Sequence, residues 1–187
     1  MALHSDMETK VKKSKKSLRA VLLLTMLFIS ALVYGASRNR GIDRSTIKSL
    51  NLKSYMGRWY EIARFDHSFE RGMTNVMTEY QLLDDGTVEV INIGTRDGKE
   101  HRTKGHAKTT NEAGRLRVSF FWKFYSDYNI MEMAEDGSWV LIGSRSPEYL
   151  WILSRTPTLP DSVIRHIVDL ARKRGYKVEN LIFANEG

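Results

Sequence analysis

The sequence predicts an all-β chain: an eight-stranded antiparallel up-and-down β-barrel with a C-terminal α-helix packed outside it, preceded by an N-terminal signal or anchor helix. Three observations carry this. Eight short runs rich in β-branched and aromatic residues recur between residues 58 and 154; the connections between them hold Gly, Asn and Asp in hairpin-turn clusters; and no helical period interrupts them before residue 159. Strands joined by hairpins run antiparallel, and eight is the number at which such a meander closes around space for one small ligand.

The first 36 residues form a separate segment. Lys10, Lys12, Lys13, Lys15, Lys16 and Arg19 stand against Asp6 and Glu8, so four of the seven net positive charges of the 187-residue chain lie here. An apolar run from Ala20 to Tyr34 follows, then the small residues Gly35, Ala36 and Ser37. A basic stretch, a short apolar core and a small-residue exit make an export signal, and the run is shorter than the roughly 20 residues that cross a bilayer comfortably. Tyr34 fits poorly three positions before a cut after Ala36, so an uncleaved N-terminal anchor is the rival reading. Residues 1–36 are thus a signal peptide or membrane anchor, 37–53 a polar linker, and 54–187 the folded domain. With the basic segment set aside, the charge gives little reason to expect a nucleic-acid partner. The absence of Cys excludes disulfides, thiolate metal sites and a cysteine nucleophile.

The strands follow in order: Arg58–Phe65, Thr74–Leu83, Val88–Thr95, Glu100–Thr109, Arg115–Phe121, Tyr128–Ala134, Trp139–Ser144 and Tyr149–Ser154. Turns such as Asp84-Asp85-Gly86 and Arg96-Asp97-Gly98 suit hairpins because Gly, Asn and Asp tolerate positive φ. After the eighth strand, Pro160 and Asp161 open a helix in which Val163, Ile164, Ile167, Leu170 and Ala171 share a face; Arg172, Lys173 and Arg174 complement its C-terminal dipole before Gly175 stops it. Residues 180–184 add a short final strand.

The meander also orients the barrel. The eighth strand returns to the end from which the first departs, so Trp59 and Arg155 meet at one rim as a cation–π pair that closes it. The connections after strands one, three, five and seven share the opposite, open end. Two of these carry aromatic residues: Asp66–Met73, with His67 and Phe69, and Trp122–Asp127, with Trp122, Phe124 and Tyr125. Strand alternation from Arg155 turns Leu153, Trp151 and Tyr149 inward.

These residues resemble the lipocalin family, and specifically its bacterial lipocalin and apolipoprotein D branch. Tyr55-Met56-Gly57-Arg58-Trp59-Tyr60-Glu61-Ile62-Ala63-Arg64-Phe65 contains the family's Gly-x-Trp core, Tyr149–Pro157 matches its element ending in Arg155, and Ser126-Asp127-Tyr128 matches a further element loosely. The resemblance covers residues 54–184. It implies that Gly57, Trp59 and Arg155 are the structural signature of the closed end, and that the barrel holds a small hydrophobic ligand. Fatty acids or lysophospholipids are implied, in the bacterial cell envelope, with the protein in the periplasm or at the outer membrane. Near relatives are tethered by a lipidated cysteine, which this sequence cannot supply; an uncleaved N-terminal helix is the tether left open, as are a membrane surface and a homodimer as partners.

Within that barrel the candidate ligand contacts are Tyr80, Phe120, Tyr128 and Trp151, with Val90 and Val118 on the same inward faces. Arg96, Lys99, Lys123 and Arg145 on open-end loops could favour an anionic head group. No cofactor is expected and no metal: His101 and His106, five apart on one strand, face opposite ways. No nucleophile elbow or phosphate loop is present, and Glu61 is the one residue a catalytic reading could use. A filled barrel serving as a membrane-associated interaction module is the other alternative, and cavity volume separates it from a carrier.

Overall fold

A computed structural model describes residues 41–68, 70–120 and 124–184. The expected export segment, residues 1–36, lies outside them, as do Phe69, Trp122 and Lys123. Eight strands form the barrel: β1 (Gly57–Phe65), β2 (Thr74–Leu82), β3 (Val88–Arg96), β4 (Lys99–Thr109), β5 (Arg115–Ser119), β6 (Ser126–Met133), β7 (Trp139–Gly143) and β8 (Leu150–Ser154). Each pairs antiparallel with its neighbour in sequence, and β1 pairs with both β2 and β8, closing the sheet. The predicted eight-stranded barrel with its outer helix is therefore the observed architecture, with strand ends displaced by a residue or two.

Closure is shared. On one edge of β1, residues Gly57–Tyr60 pair with β2, and from Ala63 to Phe65 the short β9 (Leu181–Phe183) takes that edge instead. On the other edge the register with β8 shifts between Glu61 and Ala63. A shift of this kind bends the strand and re-aims side chains.

Alternation divides the apolar residues into two cores. Trp59, Val88, Val90, Leu116, Ile130 and Leu153 belong to the cluster inside the barrel. Ile62, Phe65, Met131, Leu141, Leu150 and Ile152 belong to an outer cluster that buries Ile167 and Ala171 of the C-terminal helix, Asp161–Lys173. That helix has Asp161 in its first turn and Arg172 and Lys173 in its last, which suits its dipole.

The segment read as a linker is only partly one. Ile47 and Leu50 pack on the inner cluster, and Ile47 donates its backbone N–H to the Ile130 carbonyl at 3.0 Å. A one-turn helix, α1 (Leu52–Tyr55), follows, capped by the Asn51 side chain accepting from the Ser54 N–H at 3.2 Å; the C-terminal helix is accordingly α2. Polar residues dominate this stretch, but its few apolar ones are spaced to cover the barrel floor, a signal too sparse for periodicity to expose.

Candidate ligand cavity

The floor is built on Trp59, Arg155 and Gly57. Trp59 is fully buried and donates its indole N–H to the Tyr55 carbonyl at 2.9 Å. The Arg155 guanidinium carbon lies 3.8 Å from the centre of the Trp59 ring. Its nitrogens donate to the Arg58, Ser54 and Tyr55 carbonyls at 2.9, 2.7 and 3.0 Å, tying the ends of β8 and β1 to α1. Gly57 adopts φ of 92°, a left-handed conformation that a side chain would strain, and so lets α1 turn into β1.

Above the floor is a cavity of about 480 Å³. All six candidate contacts line it: Tyr80, Val90, Val118, Phe120, Tyr128 and Trp151. Val90, Val118, Ile142 and Leu153 make its apolar depth. Two of the tyrosines already use their hydroxyls. Tyr128 sits between Tyr55 and Tyr80, with oxygen separations of 2.6 and 2.8 Å. Burial pushes the Tyr80 phenol up to about 12, and raises those of Tyr55 and Tyr128 above their ordinary value for the same first reason. The three phenols are therefore neutral, and present ring faces to the cavity more than free hydroxyls.

The mouthward wall contains a polar cluster that strand alternation alone does not reveal. The connection Asp66–Met73 folds inward: Met73 donates its backbone N–H to the Glu70 carbonyl at 2.9 Å, and Arg64 donates to the same oxygen at 3.0 Å. This brings Glu70 onto the cavity wall beside Glu61 of β1. Glu61 accepts from Arg64 at 2.9 Å, Glu70 lies 3.0 Å from the His67 ring nitrogen, and Trp151 donates its indole N–H to Glu70 at 3.3 Å. The Glu61, Arg64 and Glu70 side chains are only 3%, 6% and 8% exposed. Burial, and then the neighbouring Glu70 carboxylate, push the Glu61 carboxyl up to about 8 despite Arg64.

His67 belongs to the open-end connection after β1, whose aromatic residues need cover from water. It is buried against Tyr149 and Trp151, with ring centres 5.8 and 5.2 Å away. Phe124 does stand at the rim, 70% exposed, and also lines the cavity with the 39%-exposed Phe120. Of the cations on open-end loops, Arg96 donates to the Arg71 carbonyl and Arg145 lies 3.5 Å from Asp127 at the rim, and neither these nor Lys99 lines the cavity. His101 lines it while His106 is exposed on the outer face, as their spacing requires. Among the described residues no group of three or more His, Asp or Glu is placed to hold a metal ion.

A barrel with a Trp–Arg floor and an apolar interior narrows the relatives to be expected, and a lipocalin-like domain matches residues 50–186. The chain belongs to the lipocalin family. Lipocalins bind small hydrophobic ligands. The chain is 36% identical over 173 residues to the outer membrane lipoprotein Blc of Citrobacter freundii, covering 90% of this lipocalin and 97% of that protein. It is 30% identical over 148 residues to apolipoprotein D of Mus musculus, covering 72% and 76% of the two chains. In fold it is similar to insecticyanin from the tobacco hornworm Manduca sexta, with a TM-score of 0.64 at 17% identity over 78% of this lipocalin and 85% of that chain.

Proposed function

We propose that this lipocalin carries single-chain amphiphiles, fatty acids or lysophospholipids, in a bacterial cell envelope, by non-covalent sequestration and without catalysis. The observation that supports this reading is a cavity of about 480 Å³ whose depth is apolar and whose mouthward wall is polar. An acyl chain gains about 0.8 kcal/mol per methylene moved from water into such a depth. Tyr80, Val90, Val118, Phe120, Tyr128 and Trp151 are the proposed contacts. The relatives named as outer membrane lipoproteins support an exported protein at the envelope. Since none of the 187 residues is Cys, attachment through a lipidated cysteine among them is excluded. Phe120 and Phe124 at the rim favour a membrane surface as the place where ligand is loaded.

Titration with a lysophospholipid and with a fatty acid, followed by Trp fluorescence with Trp151→Phe as control, tests the proposal. Saturable binding of at least one, with a signal reduced in the control, is expected. No saturable binding of either overturns carriage and leaves the interaction-module reading.

A further inference from the structure

The charges on the cavity wall are of one sign. Glu61, Glu70 and Asp127 line it, and among the described lining residues there is no Lys or Arg; His101 is the single basic side chain. Asp127 is engaged at the rim by Arg117 and Arg145, at 3.3 and 3.5 Å. Glu61 and Glu70 stand deeper and have one guanidinium between them. Burial, and the Glu70 carboxylate nearby, push the Glu61 carboxyl up to about 8, so Glu61 holds a proton near neutral pH. Arg64 satisfies them incompletely: its Nε is buried without a hydrogen-bond acceptor and lies 3.7 Å from the nearer Glu70 oxygen.

Aromatic faces stand beside these carboxylates. Tyr149 and Trp151 line the same wall, stacked with ring centres 5.9 Å apart and planes 15° from parallel, and the Trp151 indole N–H reaches Glu70. Ring faces next to a carboxylate in a water-poor site attract a weakly hydrated organic cation, ammonium groups above all. A carboxylate ligand on the same wall meets two acids with one guanidinium between them.

We propose that the cavity selects amphiphiles whose head bears an ammonium group, held between the Glu61 and Glu70 carboxyls and the Tyr149 and Trp151 rings. This rests on the carrier reading above and specifies its ligand. The groups facing the pair are Arg64 on β1, His67 in the connection to β2, Tyr80 on β2 and the Trp151 indole on β8; β9 contributes only Leu181, Ile182 and Phe183. The ligand's positive charge takes the place of the proton on Glu61, which leaves to solvent. Cation affinity therefore rises with pH and carboxylate affinity falls with it, so the two slopes have opposite sign.

The test uses the full chain and three twelve-carbon probes below their micellar concentrations: dodecyltrimethylammonium, dodecanoate and monododecanoylglycerol. Calorimetric titrations at several pH values, in buffers of different ionisation enthalpy, report affinity and protons released. The ammonium probe is expected to bind at least tenfold more tightly than dodecanoate at pH 8. Its affinity should fall toward tenfold per pH unit below that point, with up to one proton released per ligand. Glu61→Gln is expected to flatten this slope and abolish the release, and Glu70→Gln serves as a second removal of the pair should the first fail to fold. Lysophosphatidylcholine against lysophosphatidylglycerol, each single-chain and one bearing an ammonium, tells whether a phospholipid head can supply the cation. Equal or tighter dodecanoate binding, or ammonium binding independent of pH and without proton release, overturns the proposal. Binding of the neutral glyceride without ammonium preference leaves carriage standing and defeats the selectivity; no binding of any probe defeats both.

Discussion

At the scale of single residues, the cavity owes its character to groups whose partners are far away in sequence. Tyr80 and Tyr128 are legible as inward aromatics from alternation, but the hydroxyl chain they form with Tyr55 is not, because Tyr55 ends the one-turn helix before β1, where strand alternation does not set a side chain's direction. Tyr128→Phe removes both hydrogen bonds of that chain at once and is expected to cost about 1–3 kcal/mol of stability by denaturant unfolding. The acid pair yields a prediction of unusual direction. Glu61 ionises at about 8 in the folded chain against an ordinary value of 4.5, so between these values the folded state holds a proton that the unfolded state has lost. Stability in that window therefore declines as pH rises. The melting temperature of the ligand-free protein should fall from about pH 5 to pH 8.5, and Glu61→Gln should remove much of that fall. A wild-type curve that rises across this range contradicts the assignment of the proton.

At the scale of elements, the eight runs and the helix stand close to where turn chemistry and periodicity put them, because hairpin turns and an amphipathic stripe are local signals. Connections were harder to read. Glu61, Arg64, His67 and Glu70 recur every three residues, a spacing regular alternation does not put on one face; the register shift in β1 accompanies the Glu61–Arg64 contact, and the chain folding inward after Phe65 adds His67 and Glu70. β4 supplies a second case. Gly105 lies under Phe120, and a methyl group there would come within 2.6 Å of both the Phe120 ring and the Ser119 carbonyl. A glycine inside a strand commonly marks such a close approach. Gly105→Ala should displace the Phe120 ring, lower stability by about 1–3 kcal/mol and alter ligand affinity, seen by thermal unfolding and fluorescence titration together. An unchanged affinity separates Phe120 from ligand contact.

For the whole molecule, fold class is the most legible quantity, since strand count and hairpin order leave one closed arrangement. The cavity is less so: alternation shows which residues face inward but not whether they meet, and packing against β-branched residues on all sides could have filled the space. A filling substitution isolates this property. Val118→Phe places a ring in the apolar depth and is expected to weaken amphiphile binding at least tenfold while changing the melting temperature by only a few degrees. Loss of fold instead of loss of binding identifies Val118 as packing rather than cavity wall.

The division of the β1 edge between β2 and β9 bears on when the chain can fold. The barrel wall at β1 is completed by residues 151–154 on one side and 181–183 on the other. A polypeptide emerging from its N-terminus therefore presents its first strand with β2 soon after it, but long before β8 and β9, which complete its pairing, exist. Closure of the barrel thus waits for segments far along the chain, and seating β1 in its final place is a late, long-range event in folding.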